Sequence, residues 1–346
     1  IHAGRRRGVK AAIVGFGGMG QRHFKAYRAA GVEVAALCDV NPEAVRRAAP
    51  DFPADRVFTD PEKMWTAVRP DVLSVVSNGP THAALSTAAI RAGVPRVLCE
   101  KPMATNLRDA KALLAAARER GARLAVNHIR RWSPSYDAVR KAIGEGAIGR
   151  LRHIYFHSGS TGLGNFAVHA FDTMRLLFQC DPDWVQGTLD RTGTPNPRGA
   201  QFKDPAGYGV LHFQNGARAF VDTCEDTGVQ YQYTLVGEYG RFFIDELNDV
   251  WTLRARSDAD RALPLTRYGS PMPSVPFQNP VPFDIVDLTS RAIRNLLSEE
   301  PVRSPGEDGL RSLEMVLAFH VSDREGGARV PLPLDPRHDA WDVPIA

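Results

Sequence analysis

The apolar run Val9–Val14 passes directly into Gly15-Phe16-Gly17-Gly18-Met19-Gly20 and then into a helix-like stretch, Met19–Ala30, that Gly31 stops. A second apolar run, Val32–Leu37, is closed by Asp39, 19 residues after Gly20. A strand, a G-x-G-x-x-G turn, a helix, a strand and an acid at this spacing make the dinucleotide-binding βαβ unit, and no other feature of the chain restricts its fold as strongly. Gly15 is expected to make the tight turn, Gly17 to let main chain approach a pyrophosphate, and Gly20 to let helix pack on strand. The phosphates are expected over unpaired N–H groups at the helix N-terminus, which puts Phe16, Gly18 and Met19 among the cofactor contacts. Asp39 is placed to accept hydrogen bonds from ribose hydroxyls and to repel a 2′-phosphate, favouring NAD over NADP. Arg46 and Arg47, a turn or two into the next helix, leave NADP possible.

The same alternation continues. Pro42–Ala49 is predicted helical with Asn41 as N-cap, Val72–Val76 a strand, Thr81–Ala92 a helix, Arg96–Cys99 a strand, Leu107–Arg120 a helix and Leu124–Asn127 a strand. Continuously apolar strands separated by helices predict a parallel sheet covered on both faces, an α/β doubly wound domain over residues 1–126. Beyond Gly149 the pattern changes. Leu151–His157, Val185–Arg191, Gly207–Phe213, Ala217–Thr223, Gln230–Val236 and Arg241–Asp245 read as strands, several joined by turns such as Gln214-Asn215-Gly216. With one helix near Phe166–Phe178 and two more at Phe283–Ser298 and Gly306–Glu325, residues 127–346 are predicted to form an α+β domain with a mostly antiparallel sheet. Pro264–Pro282 is crowded with prolines and reads as an extended surface loop.

Composition excludes several classes. Hydrophobic residues at 43% and charged residues at 24% are those of a globular chain, and no run approaches the ~18–20 apolar residues of a membrane span. A net charge of +4 with dispersed arginines gives no case for nucleic acid. Cys38, Cys99, Cys180 and Cys224 lie far apart without metal-ligand spacing, so they are expected to be reduced core thiols of a cytoplasmic protein, and no metal is expected. Arg5, Arg6 and Arg7 lead into a strand rather than an apolar signal region; they read as a solvated arm, and no secretory or twin-arginine signal is expected.

Glu100-Lys101-Pro102 follows a strand at the sheet's carboxyl edge, where such sheets bind ligands. Lys101 is a candidate to stabilise charge on a substrate oxygen, and Pro102 to be cis. Asn165, His169 and Asp172 share one side of a helix at i, i+4 and i+7, with His169 as candidate general base. His82 competes for that role, although its helix-start position suits it better to framing a nicotinamide. His128, His153, His157 and His212 read as structural.

Together Gly15–Gly20, Asp39, Glu100-Lys101-Pro102, Asn127 with Arg130 and Arg131, Gly146–Gly149 and His169-Ala170-Phe171-Asp172 resemble the Gfo/Idh/MocA family of sugar and cyclitol oxidoreductases, in order over most of the chain. The resemblance implies an N-terminal Rossmann domain, a C-terminal open sheet that packs on another subunit in a homodimer or homotetramer, a nicotinamide cofactor and a sugar or polyol substrate. It further implies that Lys101 polarises the reacting oxygen and that His169 takes the alcohol proton. Ser77, His82, Glu100 and Pro102 border the nicotinamide, Asn165 and Arg130 face substrate, and Asp172 orients substrate or His169. From the residues alone, Arg130 and Arg131 read first as braces of the domain junction, with binding of an anionic substrate as the alternative. Many family dehydrogenases carry Asp four residues before the catalytic His where this chain has Asn165, so either His169 works without a carboxylate relay there or the reaction is slower or specialised.

Three functions fit: reversible oxidation of a secondary hydroxyl on a sugar, cyclitol or glycoside; an NAD-dependent glycosidase acting by transient oxidation and elimination; and a non-catalytic nucleotide-binding regulator. Bound NAD without net NADH formation marks the second, and Lys101 with His169 argues against the third. The loop Ser158–Gly164 and the proline-rich segment are expected to shape the substrate wall.

Overall fold

The computed structural model describes residues 8–159, 162–191, 199–229, 231–343 and 345. The arginine arm, Ser160 and Thr161 of the glycine-rich loop, and Gln230 lie outside the described residues. Backbone contacts divide the chain into two units. The first comprises the residues up to Trp132 together with Asp284–Leu310, the second Ser133–Phe283 together with the residues from Arg311 onward.

In the first unit, β1 (Lys10–Val14), α1 (Gly18–Ala29), β2 (Glu33–Cys38), α2 (Pro42–Ala48), β3 (Val57–Phe58), α3 (Pro61–Val68), β4 (Val72–Val75), α4 (Gly79–Arg91), β5 (Arg96–Cys99), α5 (Leu107–Arg120) and β6 (Arg123–Val126) alternate as the hydrophobic pattern predicts. The strands pair in parallel in the order β3-β2-β1-β4-β5-β6, which puts the topological switch point between β1 and β4. Ile13, Leu37, Val72 and Leu98 are fully buried, so the strands have no polar face to alternate. Asn41 caps α2 as expected, accepting from the Ala44 amide at 3.3 Å. Missing from the sequence reading were β3 and α3, the latter opened by Asp60, whose carboxylate accepts from Glu62 and Lys63 amides.

In the second unit, α6 (Pro134–Gly144), β7 (Leu151–His157), α7 (Val168–Phe178), β8 (Pro182–Leu189), β9 (Gly207–Phe213), β10 (Arg218–Asp222), β11 (Gln232–Gly237), β12 (Gly240–Asp245), β13 (Val250–Ala255), the short α8 (Asp258–Arg261) and β14 (Ser274–Val275) precede α9 (Ile285–Leu297), which belongs to the first unit. The unit boundary then falls inside α10 (Gly306–Arg324), and β15 (Val330–Pro331) closes the sheet. Among the described residues, nine strands order as β14-β13-β12-β11-β7-β10-β9-β8-β15, and every pairing is antiparallel except β7 with β10. One face is packed, with Phe171 of α7 stacked on Phe319 of α10 at 5.4 Å. The other carries exposed Tyr155 and Tyr208, with Tyr155 stacked on Phe220 at 4.8 Å. The proline-rich segment is exposed and mostly coil, but its Ser274–Val275 adds an edge strand.

Two expectations change. A single division after residue 126 gives way to a discontinuous one: Ala292, Ile293 and Leu296 of α9 share a core with Ile13, Ala26 and Tyr27. Nor are all four thiols core residues, because Cys180 and Cys224 are half-buried while Cys38 and Cys99 are buried. Among the described residues no helix is long and apolar enough to cross a membrane.

Candidate active site

At the carboxyl edge of the parallel sheet, Gly15 takes φ +90°, and a Cβ on it would stand 2.6 Å from the main chain of Val76 and Ser77. A Cβ on Gly20 would stand 2.1 Å from the Gly15 carbonyl oxygen. Both positions therefore exclude any side chain, and β1 can turn tightly into α1 across the switch point. Gly17 differs, since its Cβ would enter open space. It is the N-cap of α1, no side chain caps the helix, and no acid lies in the first turn. An uncapped N-terminus beside an open backbone surface fits a pyrophosphate, which both the N–H groups and the dipole favour. The Asp39 carboxylate accepts from the Phe16 amide at 2.6 Å and the Asn41 amide at 2.9 Å, so it fixes the turn as well as facing outward at half exposure. Arg46 is engaged by Glu43 in an exposed ion pair.

The exits of β4 and β5 are tied together by His82. Its Nε2 lies 2.9 Å from the Ser77 carbonyl and its Nδ1 2.8 Å from that of Pro102. Burial pulls its pKa below 6.5, against the two carbonyls and Glu100, which favour the cation. With both ring nitrogens against main-chain carbonyls, His82 is placed to hold loops rather than to take a substrate proton. The Lys101–Pro102 peptide is cis, and the Ser77 hydroxyl is bound by Thr81 at 2.6 Å.

Glu100 is buried. Its Oε1 accepts from Asn127 Nδ2 at 2.6 Å and lies 3.0 Å from His23 Nε2, while its Oε2 accepts from the Lys101 amide at 3.2 Å. Burial opposes its ionisation, yet His23, Lys101 and Asn127 overcome that and hold its carboxyl at about 2. Arg130, in the Ile129–Trp132 turn after β6, is buried, and Arg131 pairs with Asp308 at 2.8 Å.

In the second unit a π-helical turn, Leu163–Ala167, leads into α7. Asn165 therefore sits in the π turn, and His169 and Asp172 on the α-helix that follows it. The buried Asp204 carboxylate binds this turn, accepting from the Gly164 amide at 2.8 Å and the Asn165 amide at 2.7 Å. His169 is half-exposed near the start of α7. Asp172 is fully buried, 3.5 Å from Ser312 Oγ and 4.0 Å from Arg175, which itself binds Asp181 at 2.6 Å. Of the histidines read as structural, His212 binds Asp183 at 2.7 Å and His157 binds Gln232 at 2.8 Å.

His23, Ser74 and Asp204 went unnoticed in the sequence. His23 left a trace: it is the polar member of the stripe Gly20, His23, Ala26 and Tyr27 that α1 turns inward. Asp204 left none.

Known proteins resemble this chain in sequence and fold. Residues 9–128 match the model described as oxidoreductase family, NAD-binding Rossmann fold (GFO_IDH_MocA), and residues 140–332 match its C-terminal alpha/beta domain. D-apiose dehydrogenase of Paraburkholderia graminis is 28% identical over 345 residues, covering 92% of this chain and 88% of that protein. Inositol 2-dehydrogenase 1 of Saccharopolyspora erythraea is 32% identical over 250 residues, 67% of this chain and 72% of its own. The crystal structure of an oxidoreductase from Agrobacterium radiobacter, in complex with NAD+, L-tartaric acid and magnesium, superposes with a TM-score of 0.78 at 21% identity, covering 94% of this chain and 98% of that one.

Proposed function

The chain belongs to the Gfo/Idh/MocA oxidoreductase family, with its NAD-binding Rossmann domain, and from that premise we propose that it transfers a hydride between a secondary hydroxyl of a sugar, cyclitol or glycoside and the nicotinamide. The observation that carries this reading is the setting of Lys101. Its amide is held by an ionised, buried Glu100 and the next carbonyl by His82, at the sheet edge that also bears the Gly15–Gly20 turn. NAD, when bound, accepts or returns the hydride.

Gly15–Gly20 hold the phosphates in this reading, Asp39 the ribose, and Ser77, His82, Glu100 and Pro102 border the nicotinamide. Lys101 holds the reacting oxygen and stabilises negative charge that grows on it, an effect strongest away from water. His169 accepts the hydroxyl proton in oxidation and returns it in reduction, as an imidazole near neutrality can. Asn165 and Arg130 bind substrate hydroxyls. Asp172, buried against Ser312 and Arg175, serves His169 by fixing α7. NAD is favoured over NADP by the Asp39 carboxylate and by the engagement of Arg46 with Glu43.

The second unit is proposed to carry the substrate site and to pair with a second copy through the sheet face bearing Tyr155, Tyr208 and Phe220. A monomeric mass in sedimentation would refute the pairing. A cytoplasmic setting suits four unpaired cysteines.

The test is reduction of NAD+ and NADP+ followed by absorbance over a panel of sugars, inositols and glycosides, with Lys101→Ala and His169→Ala beside wild type. NAD+ reduction with one substrate class, lowered roughly 10²- to 10⁴-fold in both variants, is expected. Bound NAD with product release and no net NADH would instead identify the elimination-type glycosidase.

A further inference from the structure

Burying an imidazole is unfavourable unless both nitrogens find partners, and His23 is fully buried on the inward stripe of α1. Its Nδ1 lies 3.0 Å from Ser74 Oγ on β4, and Ser74 Oγ lies 2.9 Å from the Tyr27 hydroxyl. Its Nε2 lies 3.0 Å from Glu100 Oε1. With the ring hydrogen on Nε2, every donor points one way: Tyr27 donates to Ser74, Ser74 to His23, and His23 to the carboxylate. Asn127, 3.4 Å from Thr289 Oγ1, adds its amide to the same Glu100 oxygen. The remaining oxygen is thereby left to the Lys101 main chain.

A structural core gains little from this arrangement, since apolar residues of similar volume would avoid the desolvation of a carboxylate. Its placement accounts for it. One end lies on α1, three residues beyond the last glycine of the cofactor turn, and the other lies directly behind Lys101. The groups bearing on Glu100 are His23 from α1, Lys101 from its own loop, His82 from α4 and Asn127 from the segment after β6.

We propose that His23 is a positioning residue: from the cofactor-binding helix it fixes the Glu100 carboxylate, and Glu100 fixes the main chain of Lys101 and supplies the charge beside its ammonium. This rests on Lys101 acting at the substrate oxygen, as proposed above.

The test compares Glu100→Gln and His23→Gln, which keep hydrogen-bonding shape, with their double variant. Four quantities are read: melting temperature, NADH affinity by fluorescence, kcat against pH, and the titration of Lys101 by NMR of labelled lysine. Glu100→Gln is expected to lower kcat roughly 10²-fold, the cost of about 1 Å of misplacement, and to move the Lys101 midpoint down by about one pH unit or more as the opposite charge is lost. His23→Gln is expected to do the same to a smaller degree, with NADH affinity within about threefold of wild type, and the double variant to be no worse than Glu100→Gln, as for residues acting in series. A Lys101 midpoint that stays put, or losses of melting temperature and NADH affinity without a change in kcat, would overturn the proposal and leave a core network. If wild type reduces neither cofactor, the dehydrogenase reading fails, and the Lys101 titration still decides whether the network reaches Lys101.

Discussion

Two carboxylates hold the candidate reactive segments, and they are recruited differently. Glu100 precedes Lys101 in the chain and takes its amide with one oxygen while a buried network occupies the other. Asp204 lies 40 residues after Gly164 and gathers the two amides at the start of the His169 segment. Both are buried, so each compensates main-chain N–H groups that would otherwise lose hydrogen bonds to water. The first clamp travels with its motif. The second exists only once the segment ahead of β9 meets the turn ahead of α7 in the second unit, so the clamp on the π turn is a product of tertiary structure.

The largest effect on this comparison is expected from Asp204. Asp204→Ala leaves two buried amides without their acceptor, at about 1–3 kcal/mol each, and releases the turn that aims α7. A lower melting temperature, a roughly 10²-fold fall in kcat and rapid hydrogen exchange at Gly164 and Asn165 are expected, with NADH affinity kept because the cofactor turn lies in the other unit. Asp204→Asn retains an acceptor oxygen and should recover part of the loss. If Asp204→Ala keeps wild-type kcat, the π turn is not a positioning device and the parallel with Glu100 fails.

Acid separates the units next. His320, buried near the end of α10, has its pKa pulled by burial from 6.5 to about 4, although Asp323 favours its cation. Because the folded value lies below the unfolded one, its contribution is complete above pH 6.5 and is lost as pH falls toward 4, up to about 3 kcal/mol. Glu100 is also depressed, but its contribution persists above 4.5 and is lost only as pH falls toward 2. The second unit therefore carries its largest acid-sensitive group in the window where Glu100 is silent, and His82 is the group in the first unit that weakens alongside it. His320→Phe should flatten the melting temperature of the second unit between pH 6.5 and 4, read by hydrogen exchange resolved along the chain. An unchanged slope would place the acid sensitivity elsewhere.

What the sequence disclosed follows the same division between local and remote contacts. Gly15–Gly20, Asp39 and Glu100-Lys101-Pro102 were legible because a parallel sheet sets its ligand edge at strand-to-loop junctions, where a few consecutive residues meet the demand. α3 was missed although Asp60-Pro61 is a helix-start signal, and β13 although Val250–Ala255 alternates exposed and buried residues. The return of residues 284–310 to the first unit is of another kind, since the apolar face of α9 shows that the helix packs but does not name its partner. The Asp204 clamp and the π turn belong to that second kind. Asn165, His169 and Asp172 suggested one continuous α-helix, and the structure shows that Asn165 lies instead in a π turn whose amide Asp204 holds.

The smallest expected effect tests the π turn at position 165. Asn165→Asp installs the carboxylate many family dehydrogenases carry four residues before the catalytic histidine, on a residue whose amide Asp204 already holds. The new charge should favour the imidazolium of His169 and raise the acid limb of the pH–rate profile by about half a unit, far less than the loss of Asp204 costs. Position 165 lies in the π turn, one turn ahead of His169 on α7. A raised limb with kcat within about threefold of wild type would show that position 165 still reaches His169 electrostatically. If limb and rate both stay fixed, the turn that Asp204 holds has removed position 165 from the proton path, and the carboxylate that matters in this segment is Asp204.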